Sequence, residues 1–340
     1  MPFMRKFVFA AIVMLAIIFI LARTAELSSI VETIQKADWR FILLAIMIMF
    51  VWLGNTALDF WVIYRALDMN EKLEHLALTV ASANFVNIVA PTAGMGGIAV
   101  FVSEAKRKGI SQGRVTVATA VIVLLDYIGV LIVLSIGLLI LFRRSTLSST
   151  ELVATLILVS LAGVLGSLLY IGMRSATALG NTLAKIARVA NRLAWPILHR
   201  EYFAEYRAHE FAHDAASGLY RLRYHPKSLL LPAALALNGK LLLVLIFLLT
   251  FLAFKVPFSP GTIVSGWSIS YLFTIVSPTP GGMGVVEGLL PLTLSTLNVP
   301  LGAGTVITLT YRGITFWLPL LIGIIAFRWL VREDKVPVAT

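Results

Sequence analysis

Long apolar segments recur along this chain, and they limit how it can fold more than any other feature. Each is near the roughly 20 residues that a helix needs to cross a bilayer. Six of them are unbroken: Phe7–Ala22, Phe41–Tyr64, Val115–Phe142, Leu152–Met173, Leu229–Phe254 and Gly304–Leu330. Of the 340 residues, 59% are hydrophobic and only 13% are charged, whereas soluble domains are about 25% charged. The sequence therefore predicts an all-α integral membrane protein with a single transmembrane domain over residues 1–340. The first segment is also compatible with a signal peptide, which we disfavour because many spans follow it.

Two further hydrophobic stretches, Leu76–Val102 and Thr262–Leu297, are each interrupted near the middle by Pro and Gly. An unbroken helix through the interruptions, Asn87–Gly97 and Thr274–Gly284, would lose backbone hydrogen bonds. We therefore expect two re-entrant helical hairpins, each entering and leaving the membrane on one side, in addition to six spans.

The distribution of lysine and arginine predicts the topology, because cytoplasmic loops of membrane proteins are enriched in these residues. They concentrate at the N-terminus, around Lys106–Arg107, across residues 174–227 and near the C-terminus. We expect a multi-pass protein of the cell (cytoplasmic) membrane with both termini cytoplasmic. The first hairpin then enters from the cytoplasm and the second from outside. This topology leaves five basic residues outside as exceptions, namely Arg23, Lys36, Arg40, Arg143 and Arg144. The net charge of +11 then reflects topology, and no nucleic-acid partner is expected.

The two interruptions resemble each other in sequence. Ile88–Gly97 aligns with Ile275–Gly284 without a gap, and six of the ten positions are identical. Because the charge pattern puts the copies on opposite sides, we predict an inverted repeat with residues 1–143 as the first half and residues 229–330 as the core of the second. Inverted repeats with broken helices are a recurring transporter architecture. The alternative is that such breaks are merely common in membrane helices.

Unwound Pro/Gly turns expose backbone N–H groups, and helix N-termini with bare glycines accept anions such as phosphate. The alternative for the glycines is close helix packing. On the first interpretation the candidate binding residues are Pro91, Thr92, Gly94, Gly96, Gly97, Pro278, Thr279, Pro280, Gly281, Gly282 and Gly284.

Four ionisable residues fall within or beside the spans, where charges are costly and commonly functional. We hypothesise that Arg312 and Lys240 bind an anionic lipid headgroup, while Glu287 and Asp126 balance them or titrate in a coupled step. The alternative is purely structural pairing, for example of Arg312 with Glu287. Asp59 and Glu104, near the cytoplasmic ends of their segments, are interpreted as solvated.

The segment 174–227 is predicted to be a cytoplasmic basic amphipathic stretch that either lies on anionic headgroups or is an ordinary packed linker. Leucine, isoleucine and valine recur in it at helical spacing between basic residues. It also contains His209-Glu210-Phe211-Ala212-His213, the H-E-x-x-H pattern of zinc proteases. We do not predict a metal site, because the surrounding sequence is polar and the pattern supplies only two ligands.

The sequence Pro278–Glu287, followed by Tyr311-Arg312 and Trp317–Pro319, resembles the C-terminal signature of the lysylphosphatidylglycerol synthase transmembrane (flippase-like) family. The upstream Ala90–Gly97 and Lys106–Ile110 resemble the first motif of that family. The resemblance extends from about Ala37 to Leu330. Where family members often carry a polar residue after the first Gly-Gly, this chain has Ile98 and Ala99, so a charge is missing unless Glu104 replaces it.

This resemblance implies movement of lipids across the bilayer. In the best-known members a separate soluble domain makes the aminoacylated lipid. Since the sequence ends about ten residues after the last predicted span, we expect no such domain and no synthase activity.

We therefore predict a lipid flippase or transporter-like protein that moves an anionic or modified phospholipid, or a polyprenyl-linked lipid, and that is not an enzyme. No cofactor is expected, since the sequence has no P-loop pattern and no cysteine. The expected partners are membrane lipids with anionic headgroups and, further, a lipid-modifying enzyme or glycosyltransferase. The alternative is a non-transporting membrane subunit that presents a lipid carrier to a partner enzyme.

Overall fold

The computed structural model describes residues 33–89, 96–145, 147–198 and 205–333. Every regular element in these ranges is helical, and no β-strand occurs among them. The helices are α1 (Trp39–Ala66), α2 (Leu73–Val89), α3 (Gly96–Arg107), α4 (Gln112–Arg143), α5 (Ser149–Arg174), α6 (Ala176–Leu198), α7 (Glu205–Tyr224), α8 (Leu230–Ala253), α9 (Pro260–Val276), α10 (Val285–Thr296), α11 (Leu301–Arg312) and α12 (Leu318–Glu333).

Five of the six predicted unbroken spans correspond to helices long and apolar enough to cross a membrane. They are Trp39–Ala66, Gln112–Arg143, Ser149–Arg174, Pro226–Ala253 and Leu301–Arg332. The sixth prediction, Phe7–Ala22, lies outside the described residues. The last span is continuous because a π-helical turn, Gly313–Trp317, joins α11 to α12. The prediction of an all-α membrane protein is thus confirmed for the described residues.

Short polar residues cap the N-termini of several of these helices. Asp38 caps α1 by accepting a hydrogen bond from the Arg40 amide at 3.1 Å, and Ser111 caps α4 by accepting from the Arg114 amide at 3.1 Å. Short polar side chains at this position satisfy N–H groups that the first helical turn leaves free. Ser259 does the same for α9, whose first residue is a proline.

Several helix ends carrying basic residues lie together at one end of the bundle, called here the basic end. The end of α3 meets the end of α12, since Arg107 Nη1 donates to Leu330 O at 3.5 Å. Helix α7 joins the end of α1, the start of α4 and the end of α5, through Arg221 Nε to Ala66 O at 3.1 Å, Ser111 Oγ to Asp214 Oδ1 at 2.6 Å and Arg223 Nη1 to Met173 O at 3.2 Å.

The opposite end of the bundle holds the other helix ends. Arg144, just after α4, donates from Nη2 to Ser259 Oγ at 3.0 Å, at the start of α9. Asp38, before α1, donates its amide hydrogen to Ala253 O at 2.7 Å, at the end of α8. The Arg143–Arg144 pair therefore lies at the end of the bundle opposite to the basic end. This agrees with the predicted topology, in which the pair is an exception to the rule that basic residues are cytoplasmic.

The first broken stretch forms the helices α2 and α3, which pack against each other. The residues joining them, 90–95, lie outside the described part of the chain, and Pro91, Thr92 and Gly94 lie there with them. Both α2 and α3 have their outer ends at the basic end. At 12 residues, α3 is roughly 18 Å long, which is less than the ~30 Å of a hydrocarbon core, so it cannot cross alone.

The second broken stretch forms α9 and α10, which also pack together, with their outer ends at the opposite end of the bundle. Residues 277–284 separate them and include a short 3₁₀ turn, Pro280–Gly282. Gly281, Gly282 and Gly284 have φ values of 57°, 72° and 81°. Because side chains disfavour this left-handed region, the glycines allow the chain to reverse here.

Candidate functional site

A cavity of about 320 Å³ lies where the two broken stretches approach each other inside the bundle. The 3₁₀ turn of the second stretch packs against α2 of the first. Spans α1, α4, α8 and the last span supply the remaining wall. The polar lining residues include Asn55, Asp59, Asn84, Asn87, Asp126, Lys240, Tyr271, Thr279 and Arg312.

Lys240 forms the first charged cluster of the cavity. It is 1% exposed in the middle of α8, and its ammonium forms an ion pair with Asp126 of α4. Nζ also donates to the Tyr271 hydroxyl at 2.8 Å and lies 4.5 Å from the centroid of that ring. The Tyr271 hydroxyl is 3.4 Å from Asp126 Oδ2. A buried ammonium needs such partners because its desolvation is costly, and together the three residues tie α8, α4 and α9.

Arg312 forms the second charged cluster at the break of the second stretch. It is 4% exposed, and Nε donates to Glu287 Oε1 at 2.7 Å while Nη2 donates to the Gly281 carbonyl at 2.9 Å. Its guanidinium carbon lies 4.2 Å from the Phe316 ring centroid, within the π-helical turn. The last span is thereby fixed to the unwound turn and to α10.

At the start of each of the helices α3 and α10, one backbone amide donates to a side chain of this protein. Gly97 N, in the first turn of α3, donates to Asn87 Oδ1 at 2.5 Å. Gly284 N, at the start of α10, donates to Glu287 Oε2 at 2.8 Å. The carboxylate of Glu287 thus occupies the position that the sequence assigned to a bound anion, between a helix N-terminus and Arg312.

Asp59 is a residue for which the sequence interpretation was wrong. It is 4% exposed and lines the cavity, rather than being solvated at the cytoplasmic end of its span. Its Oδ1 atom and the Nδ2 atom of Asn84, which also lines the cavity, are buried without a hydrogen-bond partner within the described part of the chain. Buried polar atoms are normally paired, so a ligand or water in the cavity is the natural partner for this acceptor and donor.

Glu104 was also interpreted as solvated, and this too needs correction. Its side chain is 14% exposed and contacts His75 Nε2 at 2.9 Å and the Arg107 guanidinium at 2.5 Å. These contacts join α2 and α3 at the basic end. Glu104 is not among the residues that line the cavity, so it does not replace the charge missing after the first Gly-Gly.

The structure brings six of the predicted site residues to the cavity wall: Gly97, Asp126, Lys240, Thr279, Gly281 and Arg312. Glu287 contacts the cavity through Arg312. The others that the structure describes shape the surrounding backbone without lining the cavity, namely Gly96, Pro278, Pro280, Gly282 and Gly284.

Sequence reasoning missed several polar residues of the wall. Asp59, Asn84, Asn87 and Tyr271 lie in apolar helices, and Asn84 and Asn87 are three residues apart, on one face of α2. A search for isolated Asp and Asn within apolar runs, in the broken stretches as well as in the spans, would have found all but Tyr271.

The H-E-x-x-H pattern lies on α7, within the segment at the basic end. His209 and Glu210 are exposed, and His209 packs close to Gly180 of α6. Among the residues that the structure describes, no group of three or more His, Cys, Asp and Glu side chains is placed to hold a metal ion.

Comparison with known proteins bears on the family. A family model described as "Lysylphosphatidylglycerol synthase TM region" matches residues 7–323. The chain belongs to this family. No curated protein matches it. The match spans all the helices that build the cavity, so the cavity and its two charged clusters lie within the lysylphosphatidylglycerol synthase TM region, and the resemblance carried by Pro278–Glu287 and Arg312 is confirmed at the level of the family.

Proposed function

We propose that this protein is a lipid translocator in which a polar headgroup passes through the central cavity while the acyl chains stay in the bilayer. The two broken stretches act as re-entrant hairpins of an inverted repeat. Membership of a family of membrane regions supports a role in the bilayer, and the site supports the choice of a lipid headgroup as the ligand.

The observation that carries this proposal is the position of the cavity. It lies between the inner parts of the two broken stretches, whose outer ends are at opposite ends of the bundle. A small movement of either hairpin would connect the cavity to one membrane face, which is the geometry that alternating access requires. Its volume of about 320 Å³ is at the lower end of ligand pockets, which suits a headgroup rather than a whole lipid.

Arg312 and Glu287 suggest how a phosphate is recognised. Arginine presents five donors in a planar fork that matches phosphate, and its two hydrogen bonds to Glu287 and Gly281 use only part of this capacity. A lipid phosphate entering the cavity would take over the position of the Glu287 carboxylate, next to the first amide of α10. We therefore assign Glu287 as an internal anion that the substrate displaces, with Thr279 as a further hydroxyl donor on the wall.

The cluster of Lys240, Asp126 and Tyr271 adds no net charge to the cavity. Lys240 is neutralised by Asp126, while the free Oδ1 of Asp59 and Nδ2 of Asn84 remain for the substrate. The cavity therefore offers a hydrogen-bond acceptor and a donor besides the phosphate-binding guanidinium. This combination suits a phosphate-containing headgroup that also carries hydroxyl or amino groups.

Reconstitution tests the proposal. The purified protein is placed in liposomes with trace fluorescent lipids of several headgroups, namely phosphatidylglycerol, an aminoacylated phosphatidylglycerol, phosphatidylcholine and a polyprenyl phosphate, with and without a proton gradient. We expect headgroup-selective translocation by the wild type, and its loss in Arg312→Ala. Arg332→Ala is the matched control, because Arg332 lies on the same span but is exposed.

Two results would contradict the proposal. Equal translocation by the wild type and Arg312→Ala would remove the phosphate role of Arg312. No translocation of any lipid by the folded protein, together with its co-purification with a glycosyltransferase or lipid synthase, would instead favour a subunit that presents a lipid carrier.

A further inference from the structure

Helix α6 follows directly on the end of a candidate membrane span. It starts at Ala176, directly after Ser175, and the span α5 ends at Arg174. The Arg174 guanidinium lies 4.8 Å from the Tyr170 ring centroid, and at the same end of the bundle Arg65 lies 4.9 Å from the Trp61 ring centroid. Aromatic and basic residues of this kind occupy the headgroup region. The first turn of α6 is therefore placed near the headgroups.

One face of α6 is held by the rest of the protein. Leu179 and Ala184 are each 5% exposed, and Leu183 packs against the core formed by α1, α2, α4 and α7. Helix α6 packs along α7 and also contacts α5. These contacts fix which residues of α6 point away from the protein.

The outward surface of α6 consists of two neighbouring stripes. Lys185, Arg188 and Arg192 are exposed and recur at spacings of three and four, so they share one face. Ile186 and Val189, three residues apart, form the second stripe and are 48% and 58% exposed. None of the 23 residues of α6 is an aspartate or glutamate.

We propose that α6 is an interfacial anchor that lies on the bilayer surface and binds anionic lipids there, at a site separate from the central cavity. Basic side chains beside an apolar stripe fit a surface with negative headgroups above acyl chains. An acidic protein surface would match the basic stripe, but it would not explain why the helix starts beside the headgroup region. The inference does not depend on the proposed transport activity.

Anchoring of α6 would also position the start of α4. Helix α7, which packs along α6, holds that start through Asp214, whose carboxylate accepts from Ser111 Oγ at 2.6 Å and from the Gly113 amide at 2.7 Å. Helix α4 carries Asp126 of the cavity. The anchor therefore fixes one wall of the central site relative to the membrane surface.

The absence of cysteine from the sequence gives this proposal a clean test. Val189→Cys, and separately Ile186→Cys, introduce one labelling site each at exposed positions, and Glu210→Cys on α7 is the exposed control. Each full-length variant is labelled with an environment-sensitive fluorophore and placed in phosphatidylcholine vesicles with or without phosphatidylglycerol. Quenching by headgroup-level nitroxide lipids is compared with quenching by aqueous iodide.

We expect the labels at positions 186 and 189 to be quenched by the nitroxide lipids and protected from iodide, and the label at position 210 to behave in the reverse way. Adding Lys185→Gln and Arg192→Gln should lower the equilibrium constant for docking of α6 on phosphatidylglycerol-containing vesicles by roughly twenty-five-fold. Each basic residue near an anionic surface contributes a factor of roughly five. Iodide quenching equal to that at position 210 would overturn the proposal. Protection only in native membranes, and not in vesicles, would also overturn it and would point to a protein covering the helix.

Discussion

The ion pair between Asp126 and Lys240 gives an asymmetric prediction for stability. Lys240 is 1% exposed, whereas the Asp126 side chain is 36% exposed toward the cavity. Asp126→Asn leaves a fully buried ammonium without its counter-ion. Lys240→Met leaves a carboxylate that still reaches the cavity and the Tyr271 hydroxyl at 3.4 Å. We therefore expect the first substitution to destabilise the protein far more than the second.

The magnitudes follow from the remaining contacts. Breaking a buried pair from one side costs roughly 3–5 kcal/mol. In Asp126→Asn the ammonium keeps the Tyr271 hydroxyl and ring, so the lower end, about 3 kcal/mol, is expected. Lys240→Met removes the ion pair and the hydrogen bond to Tyr271. Because the Asp126 carboxylate still reaches the cavity, the main cost is that one hydrogen bond, at about 1 kcal/mol. Since the double variant removes both members of the pair, it should also cost about 1 kcal/mol rather than the sum of about 4 kcal/mol.

The assay is the free energy of unfolding in mixed detergent and SDS, followed by tryptophan fluorescence for the wild type, both single variants and the double variant. Asp68→Asn is the control, because its ion pair with Arg221 is 57% and 46% exposed and surface pairs contribute about 0–1 kcal/mol. Equal costs for Asp126→Asn and Lys240→Met, or strict additivity in the double variant, would refute the assignment of Lys240 as a buried ammonium that Asp126 neutralises.

Two further predictions concern residues that pack against the first broken stretch or flank it. In Gly323→Ala the added Cβ would lie 2.6 Å from the Ala81 carbonyl oxygen, so α12 must move away from α2, at a cost of about 1–3 kcal/mol in the free energy of unfolding. Gly313→Ala is the control: its added Cβ would have no atom within 4 Å, so the variant should be neutral or slightly stabilised in the same unfolding assay. Burial raises the pKa of Glu71, but the hydrogen bonds from Lys108 and Lys72 and the charges of Lys108 and His75 outweigh it, so the pKa lies below its ordinary value of 4.5. The stability that this carboxylate contributes is therefore present above pH 4.5 and lost as the pH falls through the lowered pKa. The difference in Tm between wild type and Glu71→Gln should disappear on acidification. A difference in Tm that stays constant with pH would contradict the assignment.

Much of the fold follows from local sequence signals. Apolar runs of span length gave five helices of the described chain within a few residues of their ends, since backbone hydrogen bonds in a membrane must be satisfied within the helix. The positions of the two breaks were predicted from Pro and Gly. At the second break, Gly281, Gly282 and Gly284 adopt positive φ values, a conformation that favours glycine.

The site was harder to predict because pairing depends on tertiary structure. The sequence places Asp126 and Lys240 more than 100 positions apart, and only the packing of α4 against α8 makes them neighbours. The burial of Asp59 was missed for the same reason. Its position near the predicted cytoplasmic end of its span suggested exposure to solvent, whereas the packing of α2, α4 and α8 around it places it in the cavity wall. The role of Glu287 as a cap for Gly284 depends on a backbone turn that no periodicity reveals.

The most direct test of headgroup passage through the cavity is to fill the cavity. Thr279 lines it, whereas Thr296 is exposed at the end of α10. In the liposome assay with fluorescent phosphatidylglycerol, the account predicts that Thr279→Trp stops translocation while the protein remains folded, and that Thr296→Trp translocates at the wild-type rate. Undiminished translocation by folded Thr279→Trp would contradict passage through this cavity.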